Sequence, residues 1–199
     1  SGVASATVPR EAAKPRAKPL PDAIRGDPLA AFRAWTDAFV NTPPAGHAAM
    51  LAEGVDLAEA RRPVFKQLIA ENPRRALEET VPMVVRQQLP AEVLALIEER
   101  VNGRAALRVY HGDTPDRSVV VPTVRLAEFA SGEPYEAHVY GRRAESDRWL
   151  ADVSLHGVAV DHDLALHDDP LRPLEAGEAP DPAKPVVAAQ MMTRVATNT

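Results

Sequence analysis

The densest run of side chains able to do chemistry is His156, Asp161, His162, Asp163, His167, Asp168 and Asp169. Imidazole and carboxylate groups suit zinc or calcium, so Asp161, His162, Asp163 and His167 form a candidate metal site. The competing expectation is a simple turn. Asp is a favoured turn former, Asp161-His162-Asp163 separates two apolar stretches, and strand alternation sends His162 and Asp163 to opposite faces. Ser154 and His156 share a face of the same predicted strand, as a nucleophile and base would, but no oxyanion loop or third group accompanies them. A further candidate is Tyr110-His111-Gly112-Asp113, where a Gly-containing turn after a strand presents a carboxylate. Tyr135, Tyr140 and Trp149 would form a stacking surface if exposed and would be core if not.

The familiar catalytic signatures are missing. The sequence has no H-E-x-x-H, no G-x-S-x-G, no Walker A loop and no G-x-G-x-x-G. With 0 Cys, it has no thiol nucleophile, thiolate zinc site or disulfide scaffold. The chain therefore reads as non-catalytic, with no cofactor of its own beyond calcium or zinc at residues 161–169. A net charge of −5 argues against nucleic acid as a partner, and no apolar run reaches the roughly 18 residues of a membrane span.

The elements that must position these residues are punctuated by proline, at 19 of 199 residues. Residues 1–26 hold Pro9, Pro15, Pro19 and Pro21 among Lys14, Arg16, Lys18 and Arg25, too few large apolar groups to fold alone. Pro170, Pro173, Pro180, Pro182 and Pro185 sit among Asp168, Asp169, Glu175, Glu178 and Asp181. A basic arm and an acidic tail thus flank the core, either as solvated linkers or laid on a partner. The expected organisation is an extended arm over 1–26, a helical subdomain over 27–100, a β subdomain over 101–178 and an extended tail over 179–199.

Helical periodicity dominates the first half. Asp27-Pro28 is an N-cap with Pro at N1, followed by Leu29, Phe32, Trp35 and Phe39 on one face. Asn41-Thr42-Pro43-Pro44 ends that helix. A short turn over His47–Leu51 and a separate helix capped by Asp56, with Leu57, Val64, Phe65, Leu68 and Ile69 as its stripe, are expected next. Asn72-Pro73 opens another helix, and Pro82 and Pro90 divide the rest into short pieces. From Val101 the period changes to two. Strands are expected over 105–110, 118–126, 135–140 and 149–160, with Pro122 marking an edge or bulge and Gly157 a bulge or bend, and a last one opens at Leu164. The fold class is α+β: short helices followed by a mostly antiparallel sheet or small barrel.

Several phrases carry a family resemblance: Gly54 to Arg62 (GVDLAEARR), Asn72 to Leu77 (NPRRAL), Val81 to Pro90, Leu96 to Gly103 (LIEERVNG), Tyr135 to Arg143, and His156 to Val160 (HGVAV). Over residues 28–178 the chain resembles the N-terminal propeptide-like region of secreted modular bacterial proteins carrying zinc metallopeptidase domains. The Tyr110–Asp113 stretch resembles the aspartate switch of astacin-type propeptides, with Tyr where that family has Phe. The resemblance implies that Gly112 and Asp113 present a carboxylate to the zinc of a partner peptidase, displacing the water it would activate. It further implies secretion or a cell-envelope location and a partner peptidase domain downstream in the same precursor; Ser1-Gly2-Val3 itself reads as a processed or engineered start, with any signal peptide already removed. An extracellular interaction or carbohydrate-binding module is the alternative.

Overall fold

The computed structural model describes residues 26–112, 121–130 and 132–178. Asp113, the basic arm up to Arg25 and the tail from residue 179 lie outside the described residues.

Five helices come first: α1 (Pro28–Asn41), α2 (Pro44–Glu71), α3 (Pro73–Glu78), α4 (Met83–Arg86) and α5 (Ala91–Leu94). Asp27 caps α1 as expected, its Oδ1 accepting from the Leu29 amide at 3.0 Å and the Ala30 amide at 3.3 Å. The Asn72 side chain does the same for α3, accepting from Arg75 N at 3.1 Å.

The middle of the helical region differs from the sequence expectation. The expected turn at His47–Leu51 and the helix capped by Asp56 are one continuous α2 of 28 residues. Asp56 is solvent-facing inside it. Gly54, which costs a helix about 1 kcal/mol of propensity, is retained by packing: it is buried, and the Trp35 indole of α1 lies directly against its Cα. Pro63 also lies inside α2, on the exposed side. Val64 is not part of the core stripe and is 36% exposed. The true inner stripe is Gly54, Leu57, Ala58, Arg61, Phe65 and Ile69.

Five strands follow: β1 (Glu99–Tyr110), β2 (Val124–Phe129), β3 (Tyr135–His138), β4 (Leu150–Val160) and β5 (Asp163–Leu166). They close into a barrel in the order β1-β2-β3-β5-β4. Every contact is antiparallel except β3 with β5, which is parallel. This is the connectivity of an OB-type Greek-key barrel. The α+β expectation holds, and of its two forms the barrel is the one realised.

The expected strand over 118–126 begins, within the described residues, only at Val124, and Pro122 precedes it. Gly157 is not the bulge. It sits in regular register, opposite Val101 on one side and Leu166 on the other. An added Cβ there would overlap the Ala165 carbonyl oxygen, so glycine is needed for close approach of β4 and β5. The register shift lies instead between Ala105 and Leu107 of β1, opposite Val153 and Leu150. Asp152, in the extra length of β4, has φ of 53° and takes up the left-handed turn of that bulge.

Strand parity divides the barrel's side chains. Ala105, Leu107, Ala127, Ala137, Leu155, Ala159, Leu164 and Leu166 fill its interior. The alternate residues Val158, Val160 and Ala165 face outward and pack on Leu29, Phe65, Ile69 and Ala76 of the helices. Burying side chains such as Phe65 and Ile69 is worth about 1.5–3 kcal/mol each, so this shared cluster joins helices and barrel into one core. A second helical cluster surrounds Phe32, Trp35, Phe39, Leu57 and Val93.

Candidate functional site

The same parity builds a polar cleft beyond the apolar seam. Asn102 pairs with His156 between β1 and β4, and Arg100 pairs with Val158. All stand on the outward face, next to His167 at the end of β5. The helical side contributes Leu77, Thr80, Met83 and Gln87, and the third wall is the chain after β5, with Arg172, Leu174, Glu175, Gly177 and Glu178. The cavity is about 320 Å³, at the lower end of small-molecule sites.

That third wall is a strap tied down by ion pairs. Arg100 donates to both Glu175 oxygens, at 2.5 and 2.9 Å, and to the Val81 carbonyl at 2.9 Å. Glu175 also accepts from the Met83 amide at 3.0 Å, and Gln87 donates to the Gly177 carbonyl at 2.6 Å. Arg172 grips Glu178 at 2.6 and 2.5 Å. Glu175 and Glu178 both sit below the usual carboxylate range. For Glu175, bonds to Arg100 and Met83 overcome the opposing cost of burial; for Glu178 the Arg172 fork dominates. The acidic residues Glu175 and Glu178 are thus tied to the folded body.

His156 is the chemically exceptional residue of the cleft. It is 5% exposed, and neither ring nitrogen has a hydrogen-bond partner. Its ring lies 4.5 Å from that of His167, tilted by 35°. Burial, then the neighbouring His167 and Arg172, push its pKa down to about 4; the Asp169 backbone comes close enough to favour the charged ring in part, without reaching hydrogen-bond geometry. His167 is lowered as well, by burial and by Arg172 and Arg100. Both shifts favour the neutral imidazole. The Nε of Arg100 is a second buried polar atom without a partner on this cleft.

The other sequence candidates fall in separate places. Asp161 does not wait for a cation: it accepts from Arg62 at 2.6 Å and Lys66 at 2.9 Å, both on α2. Those bonds hold its carboxyl below the usual range. Asp163 meets Lys66 at 3.3 Å and His138 at 2.9 Å. His162 is exposed, with Glu133 at 3.7 Å, and His167 belongs to the cleft. The four proposed ligands are thus not brought together, and among the described residues no group of three or more His, Asp or Glu side chains is arranged to hold a metal ion. The tight turn itself is as expected, with Asp161 at φ 55°. Ser154 makes no hydrogen bond to His156, whose nitrogens are both unpartnered, so no nucleophile–base pair exists there.

The three candidate aromatics are also separated. Tyr135 packs edge-on to Phe129 and donates its hydroxyl to Glu99 at 2.8 Å; burial and that bond raise its pKa to about 12. Trp149 is 64% exposed and lies by Arg108, whose guanidinium carbon is 5.4 Å from the ring. Tyr140 is half-buried at the start of a 3₁₀ turn, Gly141–Arg143. Trp149, beside Arg108, stands at the same end of the barrel as other exposed apolar side chains. Tyr110 (46% exposed) is the cross-strand partner of Val124 (37%), and Val121 (37%) lies against the backbone of Gly112. These surround the base of the β1–β2 connection, the connection that contains Asp113.

No family model, curated protein or solved structure matches this chain.

Proposed function

We propose that this chain is a non-catalytic interaction domain of the propeptide type, secreted or held in the cell envelope of a bacterium. Its partner is a metallopeptidase module of the same precursor, which it assists in folding or inhibits. The observation that carries this reading is the exposed group Tyr110, Val121, Val124 and Trp149 at one end of the barrel. Clustered apolar exposure rimmed by polar groups marks contact surfaces, and aromatic residues are enriched where such contacts bind most tightly. Around it stand His111 and the Arg108–Glu128 pair, at 2.9 Å. Gly112 belongs to the same end. A Cβ there would run into the Val121 side chain, which favours glycine at the position from which the switch carboxylate Asp113 would be presented.

The deciding experiment is co-purification and inhibition of the peptidase encoded with this chain. The expected result is a stable complex that Trp149→Ala together with Tyr110→Ala disrupts, without altering the thermal midpoint. Absence of a complex overturns the reading. Inhibition unchanged by Asp113→Ala removes the switch but leaves the domain a chaperone.

One observation favours the second reading, a carbohydrate-binding module: Trp149 offers an open ring face beside a charged donor, Arg108, the arrangement that stacks against sugars. OB-type barrels include oligosaccharide binders that use the β1–β2 connection, an analogy of fold rather than of site. A glycan array with no Trp149-dependent hit eliminates it.

A further inference from the structure

We propose that the cleft between the outward face of β1, β4 and β5 and the strap of residues 171–178 is a binding site for a small carboxylate, received by His156 and by the Nε of Arg100. The cleft is remote from the β1–β2 end of the barrel, so this inference stands apart from the interaction surface above.

Two orphaned polar groups carry it. The His156 side chain is more than nine-tenths buried, and both its nitrogens lack partners; the Arg100 Nε–H is buried and unpartnered on the same cleft. Leaving a buried polar group unsatisfied costs about 1–3 kcal/mol, and a fold that keeps two such groups on one cavity gains from whatever satisfies both. An oxygen acceptor does so. A carboxylate can take one proton bond from the Arg100 Nε and another from the imidazole, and a charged acceptor makes each bond stronger than a neutral one would.

The charges around the cavity select the class. Arg100 and Asn102 face it from β1, His167 from the end of β5, and Arg172, Glu175 and Glu178 from the strap. Arg143 of the 3₁₀ turn disfavours a charge on the His156 ring, and the Asp169 backbone favours it. Thr80 and Gln87 are the polar groups of the helical wall, and both are uncharged. Arg100 and Arg172 are balanced by Glu175 and Glu178, so the cleft accommodates a single negative charge better than the two of a phosphate. Arg100 already holds one carboxylate, that of Glu175, through its terminal nitrogens, which leaves the Nε edge for a second. A bound anion also favours the protonated imidazole, so binding draws a proton onto His156.

The test uses the full chain in an uncharged or cationic buffer, following the His156 ring signals by NMR. The ligands are acetate, inorganic phosphate, and a short neutral peptide with either a free or an amidated C-terminus. The expected result is saturable binding of acetate with a dissociation constant of about 1 mM or tighter, within reach of a ligand of so few atoms. The His156 titration midpoint rises by about one unit when acetate is bound, from its free value of about 4, and the linked gain in affinity between pH 7 and pH 5 is about twofold. If the free but not the amidated peptide competes, the carboxylate can belong to a chain end; if neither competes, it belongs to a free small acid. Binding must be lost in His156→Phe, followed there on the ring signals of His167, which lies 4.5 Å from His156 in the wild type. No saturable shift of His156 overturns the proposal. Binding that persists in His156→Phe shows an adventitious ion only and overturns it too. Phosphate preferred over acetate overturns the ligand class. Should His156→Phe fail to fold, the wild-type His156 signals alone still decide between the first two outcomes.

Discussion

Arg61 of α2 and Glu98, just ahead of β1, are 37 positions apart in sequence and meet at 2.6 Å with side chains 3% and 0% exposed. Each makes further contacts. Arg61 also donates to the Glu79 carbonyl at 3.1 Å and lies over the rings of Phe65 and Phe32, at 4.1 and 5.3 Å. Glu98 accepts from the Val81 amide at 2.8 Å and faces Arg86 at 3.5 Å. The pair therefore locks three otherwise loosely connected pieces: the long helix, the turn after α3, and the entry into the barrel.

Removing one partner strands the other charge in the core. Glu98→Ala and Arg61→Ala are each expected to cost about 3–5 kcal/mol, as broken buried pairs do. For a chain of this size that is a fall of roughly 10–15 °C in thermal midpoint, at 2–4 °C per kcal/mol. The double variant Arg61→Met with Glu98→Leu should recover much of the loss, because no charge is left unpaired. Calorimetry of the wild type, Arg61→Met, Glu98→Leu and the double variant closes the cycle and measures the coupling. Additive losses would show that the two residues act independently.

Gly54→Ala sets two effects against each other. On an exposed helix face this exchange stabilises by about 1 kcal/mol. Here the new methyl overlaps the Trp35 indole, whose ring also stacks towards Phe32 and Phe39 at centroid distances of 5.8 and 5.0 Å. Displacing a packed aromatic cluster costs about 1–3 kcal/mol, so the net result is destabilisation. Urea unfolding gives the sign, and Gly54→Ala with Trp35→Phe, which vacates the overlapped space, should be less destabilised than the sum of the single changes. A more stable Gly54→Ala protein would refute the packing explanation for continuous α2.

These two sites mark where the sequence was and was not legible. Cap chemistry is local, so Asp27-Pro28 and Asn72-Pro73 announced their helices, and period-two alternation announced the strands. The continuity of α2 was not local: it depends on an indole from another helix filling the space a side chain would need. Closure of the barrel likewise depends on pairing β1 with a distant β4, as Glu99 with Ala159, sixty residues later. The cleft was hidden for the same reason, since Arg100, His156, Arg172 and Glu175 meet only in the fold. One signal was present. His156 interrupts an otherwise apolar run from Leu155 to Val160, and a lone imidazole on a strand buried on both faces needs a partner or a purpose. The Asp and His residues of the 161–169 segment were read together because they are adjacent in sequence, yet the strand turn sends Asp161 and Asp163 to α2 cations and His167 to the cleft.

Asp161 tests the weaker electrostatics. It is the joint between the β4–β5 turn and α2, but it and Lys66 are about as exposed as they are buried, at 44% and 43%. Exposed pairs contribute about 0–1 kcal/mol. Asp161→Asn should therefore cost less than about 1 kcal/mol, and less again in high salt, because Asn tolerates the left-handed backbone. Asp161→Val loses the same charge and adds strain at φ 55°, so it should cost about 1–3 kcal/mol more. Equal chemical-denaturation midpoints for the two variants would show that the turn conformation carries no cost.

Stability should depend on pH through His156. Its folded pKa, about 4, lies below the ordinary 6.5 because burial disfavours the charged ring and the neighbouring His167 and Arg172 add to that. Between these values the unfolded chain binds a proton that the folded chain does not, so stability rises with pH across that window and is lost as pH falls through it. For one group shifted from 6.5 to about 4, the loss between pH 7 and pH 5 is about 2 kcal/mol. His167, shifted the same way, adds to it. The lowered carboxylates Glu175, Glu178, Asp161 and Asp168 act in the same direction, but only below their ordinary values of 4.5 and 3.8. The window from about pH 6.5 to 5 therefore belongs to the two imidazoles. Urea midpoints at half-unit steps from pH 7 to 5 should fall steadily in the wild-type chain and much less in His156→Phe, where the buried ring has no proton to refuse. A flat wild-type profile, or an unchanged slope in the variant, would mean that His156 reaches solvent readily enough to be charged in the folded protein.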